Sequence, residues 1–347
     1  MKANRLHLHL LAGAALACLT TAAFAEGGPV ADKPATVAVL DDYQGAALRL
    51  ADWSVLDGRA AVTVFGDHLA DADAVVERLK GFDVLCVMRE RTPLPRAMLE
   101  RLPRLKLIVS TGARNAAIDV AAAGERGIAV AFTGYASAPT IEMTWALILA
   151  ASRHVVAENL AFRRGGWQQG IGVGLAGKTL GVLGLGRVGG AVAKVGALFG
   201  MKVLTWSPNM TPERAAAGGA MAVSKAELLR QSDVLTIHMV LSPKTRGLLG
   251  AGDLALMKPG SLLVNTSRGP LVDEAALLAA LTSRRIGMAA LDVFDVEPLP
   301  ADHPLRSLEN VLGTPHIGYV ADDLYRTFYG DTVKAVDAWL AGRAKSA

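Results

Sequence analysis

The segment that most restricts this chain runs from Thr179 to Phe199. An apolar, β-like run, Thr179-Leu180-Gly181-Val182-Leu183, leads into Gly184-Leu185-Gly186-Arg187-Val188-Gly189, and a helical pattern occupies Gly190 to Phe199. Glycines at this spacing permit a tight turn, let the backbone approach a pyrophosphate and let a helix pack closely on its strand. The helix N-terminus adds unpaired N–H groups and partial positive charge. Alone, the spacing is weak evidence. Here a strand precedes it, a helix opens on it and a second strand-like run, Lys202 to Thr205, follows, which is the context the motif demands. The segment is read as a dinucleotide site, with Gly184, Gly186, Arg187, Val188 and Gly189 as candidate contacts.

The rest of the chain repeats the same architecture. Thr36 to Leu40, Val84 to Met88, Leu107 to Val109, Val234 to Ile237 and Ser261 to Val264 are short, near-continuous apolar runs, as expected of parallel strands covered on both faces. Helical spacing occupies Ala72 to Leu79 and Asp273 to Leu281 between them. The alternation predicts a doubly wound α/β fold. At 347 residues two domains are expected. A long apolar helical stretch, Thr140 to His154, followed by Arg163-Arg164-Gly165-Gly166-Trp167, places the junction near residue 136. Trp145, Leu147, Ile148 and Leu149 are read as that helix's core.

Composition excludes other classes. Basic residues number 36 against 32 acidic, and no Lys/Arg cluster exceeds two, so nothing asks for nucleic acid. No Cys/His cluster has metal-ligand spacing, so no metal is expected. Lys2 and Arg5, the apolar run Leu10 to Ala17 and Ala23-Phe24-Ala25 before Glu26 match a secretory signal over residues 1–25, too short for a membrane span. Its removal would leave Cys86 as the one thiol. Export to the periplasm is expected from this pattern; the alternative is a cytoplasmic protein with a misplaced start codon, favoured by the scarcity of nicotinamide cofactors outside the cytoplasm.

The second strand of the dinucleotide unit ends without the carboxylate that would hold an adenosine ribose. The segment reads Val203-Leu204-Thr205-Trp206-Ser207-Pro208-Asn209, with Ser207 at that position. Ser207 or Asn209 can bond a ribose hydroxyl or a phosphate and Arg214 is the nearest cation, so NAD and NADP both remain open.

Three later segments add chemistry: Asn265-Thr266-Ser267-Arg268-Gly269, Leu291-Asp292-Val293-Phe294-Asp295-Val296-Glu297-Pro298 and Thr314-Pro315-His316-Ile317-Gly318. In that order, downstream of the glycine turn and with Thr111-Gly112, Ile118-Asp119, Glu142, His238 and Thr245, the chain resembles the D-isomer-specific 2-hydroxyacid dehydrogenases. The resemblance implies two doubly wound domains, a Rossmann NAD(P)-binding domain over residues 136–316 and a flavodoxin-like substrate domain over residues 34–135 and 317–347, with the site in the cleft between them. It implies reversible, stereospecific hydride transfer between NAD(P)H and a small 2-oxo acid. It assigns Arg268, Glu297 and His316 to catalysis, Thr266, His238 and Asp292 to the cofactor, and the backbone at Gly112 and Ala113, with Arg268, to the substrate carboxylate. It also implies a homodimer built on the Thr140 to His154 helix.

The residues make sense by their own chemistry. Guanidinium is always charged and binds a carboxylate in bidentate fashion, which suits Arg268. Imidazole titrates near neutrality and can give or take the carbonyl proton, which suits His316, and Glu297 would favour its charged form and orient it. Asp292 either contacts the nicotinamide carboxamide or caps a strand end, and His238 either lies near the cofactor or finishes its strand. The chain departs from the family at Arg114, where a second glycine is usual. Arg114 and Arg89 each either reach the site as a second cation, suiting a diacid or phosphorylated substrate, or face solvent. Rival readings are a phosphite-dehydrogenase-like enzyme and a nucleotide-binding sensor with weak catalysis.

Overall fold

Each buried run in the first half of the chain becomes a strand because it can cover both its faces. The computed structural model describes residues 33–346, so the segment read as a signal lies outside the described residues. Five parallel strands, β1 (Ala35–Val39), β2 (Ala60–Val64), β3 (Val84–Val87), β4 (Leu107–Ser110) and β5 (Ala129–Phe132), form one sheet in the order β2-β1-β3-β4-β5. Every residue of β3 and β4 is buried, as a doubly covered parallel strand requires. The edge strands β2 and β5 are partly exposed throughout; Thr63 interrupts β2, whereas β5 reads Ala-Val-Ala-Phe and is an apolar run that the sequence reading does not single out.

Seven further parallel strands form the second sheet: β6 (Thr179–Leu183), β7 (Lys202–Trp206), β8 (Met221–Ala222), β9 (Val234–Ile237), β10 (Leu262–Asn265), β11 (Met288–Leu291) and β12 (Val311–Gly313), in the order β12-β11-β10-β9-β6-β7-β8. The run expected at Ser261 to Val264 is shifted by one residue. β11 reads Met-Ala-Ala-Leu and lacks β-branched residues, so its burial between β10 and β12, not its propensity, makes it a strand.

Helices cover both faces of each sheet. The helix Ala72–Leu79 starts at Asp71, whose side chain accepts from the Ala74 amide, and turns Val75, Val76 and Leu79 inward. The long apolar helix spans Ala138–Ser152 and buries Trp145, Leu147 and Ile148 against the second sheet, but Leu149 is 36% exposed and so does not belong to that core. It ends where His154 turns to φ +52°, and a separate helix, Val155–Arg163, buries none of its residues.

The C-terminal helix Asp322–Ser346 returns to the first sheet. Leu324, Tyr325, Phe328, Tyr329, Val336 and Leu340 share a core with Val37, Val84 and Val109. Phe328 is fully buried there, and cutting such a ring to Ala costs about 3–5 kcal/mol. No helix among the described residues is long and apolar enough to cross a membrane.

Candidate active site

In open parallel sheets the crevice forms where neighbouring strands send their connections in opposite directions, beyond the strands' carboxyl ends. The first sheet reverses between β1 and β3, and the second between β6 and β9. The loop after β3 and the loop after β10 meet, because Arg268 Nη2 donates to Glu90 Oε1 at 3.0 Å. The crevice of one domain therefore opens onto that of the other.

The glycine turn lies at the β6/β9 reversal. Gly184 has φ +96°, and a Cβ there would stand 2.6 Å from the His238 carbonyl oxygen. A Cβ on Gly189 would lie 2.0 Å from the Gly184 carbonyl oxygen, so only glycine lets the helix Arg187–Leu198 sit this close to its own turn. Gly186, the residue preceding that helix, is exposed and has nothing within 4 Å of its Cβ position. Two glycines are thus closed by protein and one faces open space at a helix N-terminus, an arrangement that fits a pyrophosphate. Arg187 is exposed and Val188 half-buried at the helix start. Ser207 follows β7, and Arg214 is tied to the Asn209 carbonyl at 2.8 Å.

His238 follows β9 with Nε2 3.0 Å from Thr236 Oγ1, and desolvation of the imidazole pushes its pKa down to about 3, so the ring is neutral near pH 7. Thr266 is buried and bonds Thr144 Oγ1 of the long helix at 2.8 Å. Asn265 shapes the next turn: Oδ1 accepts from the Ser267 amide and Nδ2 donates to the Arg268 carbonyl. Gly269 packs so tightly on the Phe294 carbonyl group that no side chain would fit.

His316 stands at φ +52° on the loop after β12, with Nδ1 2.5 Å from Glu297 Oε2. Glu297 is held in turn, its Oε1 accepting from the Phe294 amide at 2.8 Å. The imidazole also meets the Tyr319 ring in an edge-to-face contact, with the ring centroids 5.4 Å apart. Asp292, 1% exposed, spends its carboxylate on this loop: Oδ1 accepts from Thr314 Oγ1 and the Ile317 amide, and Oδ2 from the Gly318 amide. Burial raises its pKa, against the pull of those three donors. These bonds tie the end of β11 to the 314–318 loop that carries His316.

On the substrate-domain side, Gly112 has φ +85° and its amide donates to Thr133 Oγ1 at 2.7 Å, while Ala113 is exposed. Arg114 is exposed. Arg89, at φ +54°, lays its guanidinium over Gly112, where a Cβ would come within 1.8 Å of Nη1. Arg91 is clasped between the Tyr43 and Tyr319 rings and donates to the Asp41 carbonyl at 2.7 Å. Of the two arginines left open, Arg89 lies against Gly112, and Arg114 is exposed. Glu90, Arg91, Tyr319 and Thr144 were not singled out by residue pattern. The signal available was the charged triplet Arg89-Glu90-Arg91 directly after a fully apolar strand.

Comparison with known proteins agrees with this geometry. Residues 145–318 match the family model described as "D-isomer specific 2-hydroxyacid dehydrogenase, NAD binding domain". The chain is 40% identical over 271 residues to a D-3-phosphoglycerate dehydrogenase of Methanocaldococcus jannaschii, covering 76% of this chain and 51% of that protein, so it spans about half that relative's length. It is 43% identical over 229 residues to a glyoxylate reductase of Aeropyrum pernix, covering 63% of this chain and 68% of the relative. A crystal structure of a phosphoglycerate oxidoreductase from Vibrio cholerae superposes with a TM-score of 0.84 at 39% identity, over 89% of this chain and 99% of that one. With its two facing crevices, its glycine turn and its Arg268, Glu297 and His316 loops, this chain belongs to the D-isomer specific 2-hydroxyacid dehydrogenase family, with an NAD-binding domain.

Proposed function

We propose that the chain interconverts a small 2-oxo acid and its D-2-hydroxy acid by reversible hydride transfer. The observation that carries this reading is the His316–Glu297 pair at 2.5 Å, on a loop pinned by Asp292 beside a cleft that holds Arg268. Glu297 fixes the imidazole through Nδ1, which leaves Nε2 to donate a proton to the carbonyl oxygen during reduction and to take it back during oxidation. Arg268 receives the substrate carboxylate, and the Ala113 amide lies on the loop expected to share it. Gly184, Gly186 and Gly189 would hold NAD, with Ser207 after β7 as the candidate ribose contact, and the bound cofactor would supply the hydride chemistry. No carboxylate follows β7 to repel a 2′-phosphate, so NADP is also admitted by the loop from Ser207 to Pro212.

The test is oxidation of NADH and of NADPH, followed at 340 nm, with glyoxylate, pyruvate and hydroxypyruvate. Turnover is expected, with H316A lowering kcat by about 10²–10⁴-fold and R268A chiefly raising KM. Near-normal kinetics in both variants would remove the site assignment. Cofactor binding without turnover would favour the sensor reading.

We also infer that the chain pairs with a second copy through its 149–173 segment. The helix Val155–Arg163 buries nothing within one chain, yet exposes Val155, Val156, Leu160 and Phe162, beside Trp167 and Ile171. So many exposed apolar side chains on one stretch mark an interface. Light scattering during size exclusion should give twice the chain mass, and a monomer would refute the pairing.

A further inference from the structure

The carboxylate of Glu90 is an unusual neighbour for a guanidinium that must receive a substrate carboxylate. Its Oε1 accepts from Arg268, while its Oε2 is buried without a hydrogen-bond partner, the Arg89 guanidinium lying 3.7 Å away. Burial opposes ionisation of this side chain, but Arg268 and Arg89 outweigh it and hold the carboxyl below the usual range, so Glu90 is charged. Glu90 thus lies against two arginines of the cleft wall, Arg268 and Arg89, and offsets part of the positive charge that they present to a ligand.

The charge on Glu90 gives the site a second property. A ligand that brings a second anion to this side of the cleft meets repulsion from the carboxylate where water screens it poorly. Resting on the dehydrogenase reading above, we propose that Glu90 determines substrate specificity: it restricts the cleft to 2-oxo acids with an uncharged C3 substituent. Arg89 does not undo this selection, because Glu90 stands between it and Arg268 and partly neutralises both. Specificity of this kind comes as much from rejecting the wrong ligand as from binding the right one.

The test compares kcat/KM for hydroxypyruvate, pyruvate and oxaloacetate in the wild type, E90Q and E90S. The wild type should turn over hydroxypyruvate and pyruvate better than oxaloacetate. Either substitution should raise the oxaloacetate-to-pyruvate ratio by about tenfold or more and leave the hydroxypyruvate-to-pyruvate ratio within about twofold, since the charge is removed. A purely structural role for Glu90 would lower all three values together and leave the ratios unchanged, which would overturn the proposal. A wild type that prefers oxaloacetate would overturn it as well. Turnover of pyruvate with unchanged ratios in the variants defeats only this inference. Absence of turnover on all three acids in the wild type defeats the dehydrogenase reading, and this inference with it.

Discussion

The two crevices occupy equivalent places in their sheets and are built from different materials. At the β6/β9 reversal the surface is backbone: Gly184 turns through φ +96°, Gly189 lets the helix sit against that turn, and Gly186 leaves open space. At the β1/β3 reversal it is side chain: Arg89, Glu90 and Arg91 follow β3, and the left-handed turn there falls on Arg89 at φ +54°. A non-glycine residue in that region is uncommon and tends to occur where function holds it. A backbone surface recognises an invariant group such as a pyrophosphate. A side-chain surface can be changed one residue at a time, as recognition of differing acids requires.

The sharpest break in that comparison is one methyl group placed in each crevice. At Gly189 the added Cβ would meet the Gly184 carbonyl oxygen at 2.0 Å, and neither the turn nor the helix can yield without losing the other. G189A should weaken NADH binding by about 10–100-fold, the range that overpacking of 1–3 kcal/mol implies, whatever the acid offered. At Gly112 the obstruction is the tip of the Arg89 side chain, which can swing aside, and the remaining strain is φ +85°. G112A should leave NADH affinity within about twofold and raise the KM of the oxo acid, because only the substrate-side crevice is disturbed. Fluorescence titration of NADH and steady-state kinetics separate the two. Equal loss of NADH affinity in both variants would show that the crevices are not independent.

The same contrast decides what the sequence reveals. Glycines needed for φ or close approach must fall at fixed offsets, so the turn at 184–189 is legible without a structure. So are the Arg268, Glu297 and His316 loops, through their resemblance to a known family. Glu90 is not, because its meaning comes from Arg268, 178 residues away, and any residue type can follow a strand. Asp292 shows a different limit: its place after β11 is readable, but its three donors come from the 314–318 loop. Among the strands, doubly covered β3, β4, β9 and β10 stand out as apolar runs, whereas β2, β5 and β12 are half-exposed edges and β8 is two residues long. Leu149 followed the helical pattern into a predicted core, yet is 36% exposed.

Acid should separate the crevices by different groups. His238 is held neutral in the fold with a pKa of about 3, against 6.5 for the unfolded chain. Between these values the unfolded state binds a proton that the folded state refuses, so stability falls as pH falls from 6.5 toward 3. At pH 5 the gap of about 1.5 pKa units corresponds to about 2 kcal/mol. Denaturant unfolding at pH 7.5 and pH 5 should show that loss in the wild type and much less of it in H238Q. An unchanged pH dependence in H238Q would mean that the imidazole is not desolvated as the structure places it.

On the substrate side the corresponding group is Glu90, and the sign of the linkage is the same through opposite chemistry. Burial disfavours its charge, but Arg268 and Arg89 lower its pKa in the fold below the ordinary glutamate value of 4.5. Its contribution is therefore fully present above that value and is lost as pH falls through the lower folded one. The pair is partly exposed, so the effect is small, no more than about 1 kcal/mol and a few degrees in Tm. The quantity to measure is the Tm of the wild type minus that of E90Q, from pH 7 down to pH 3. This difference should stay level to about pH 5 and drift against the wild type below it. A level difference down to pH 3 would show that Glu90 gains nothing from Arg268 in the free protein.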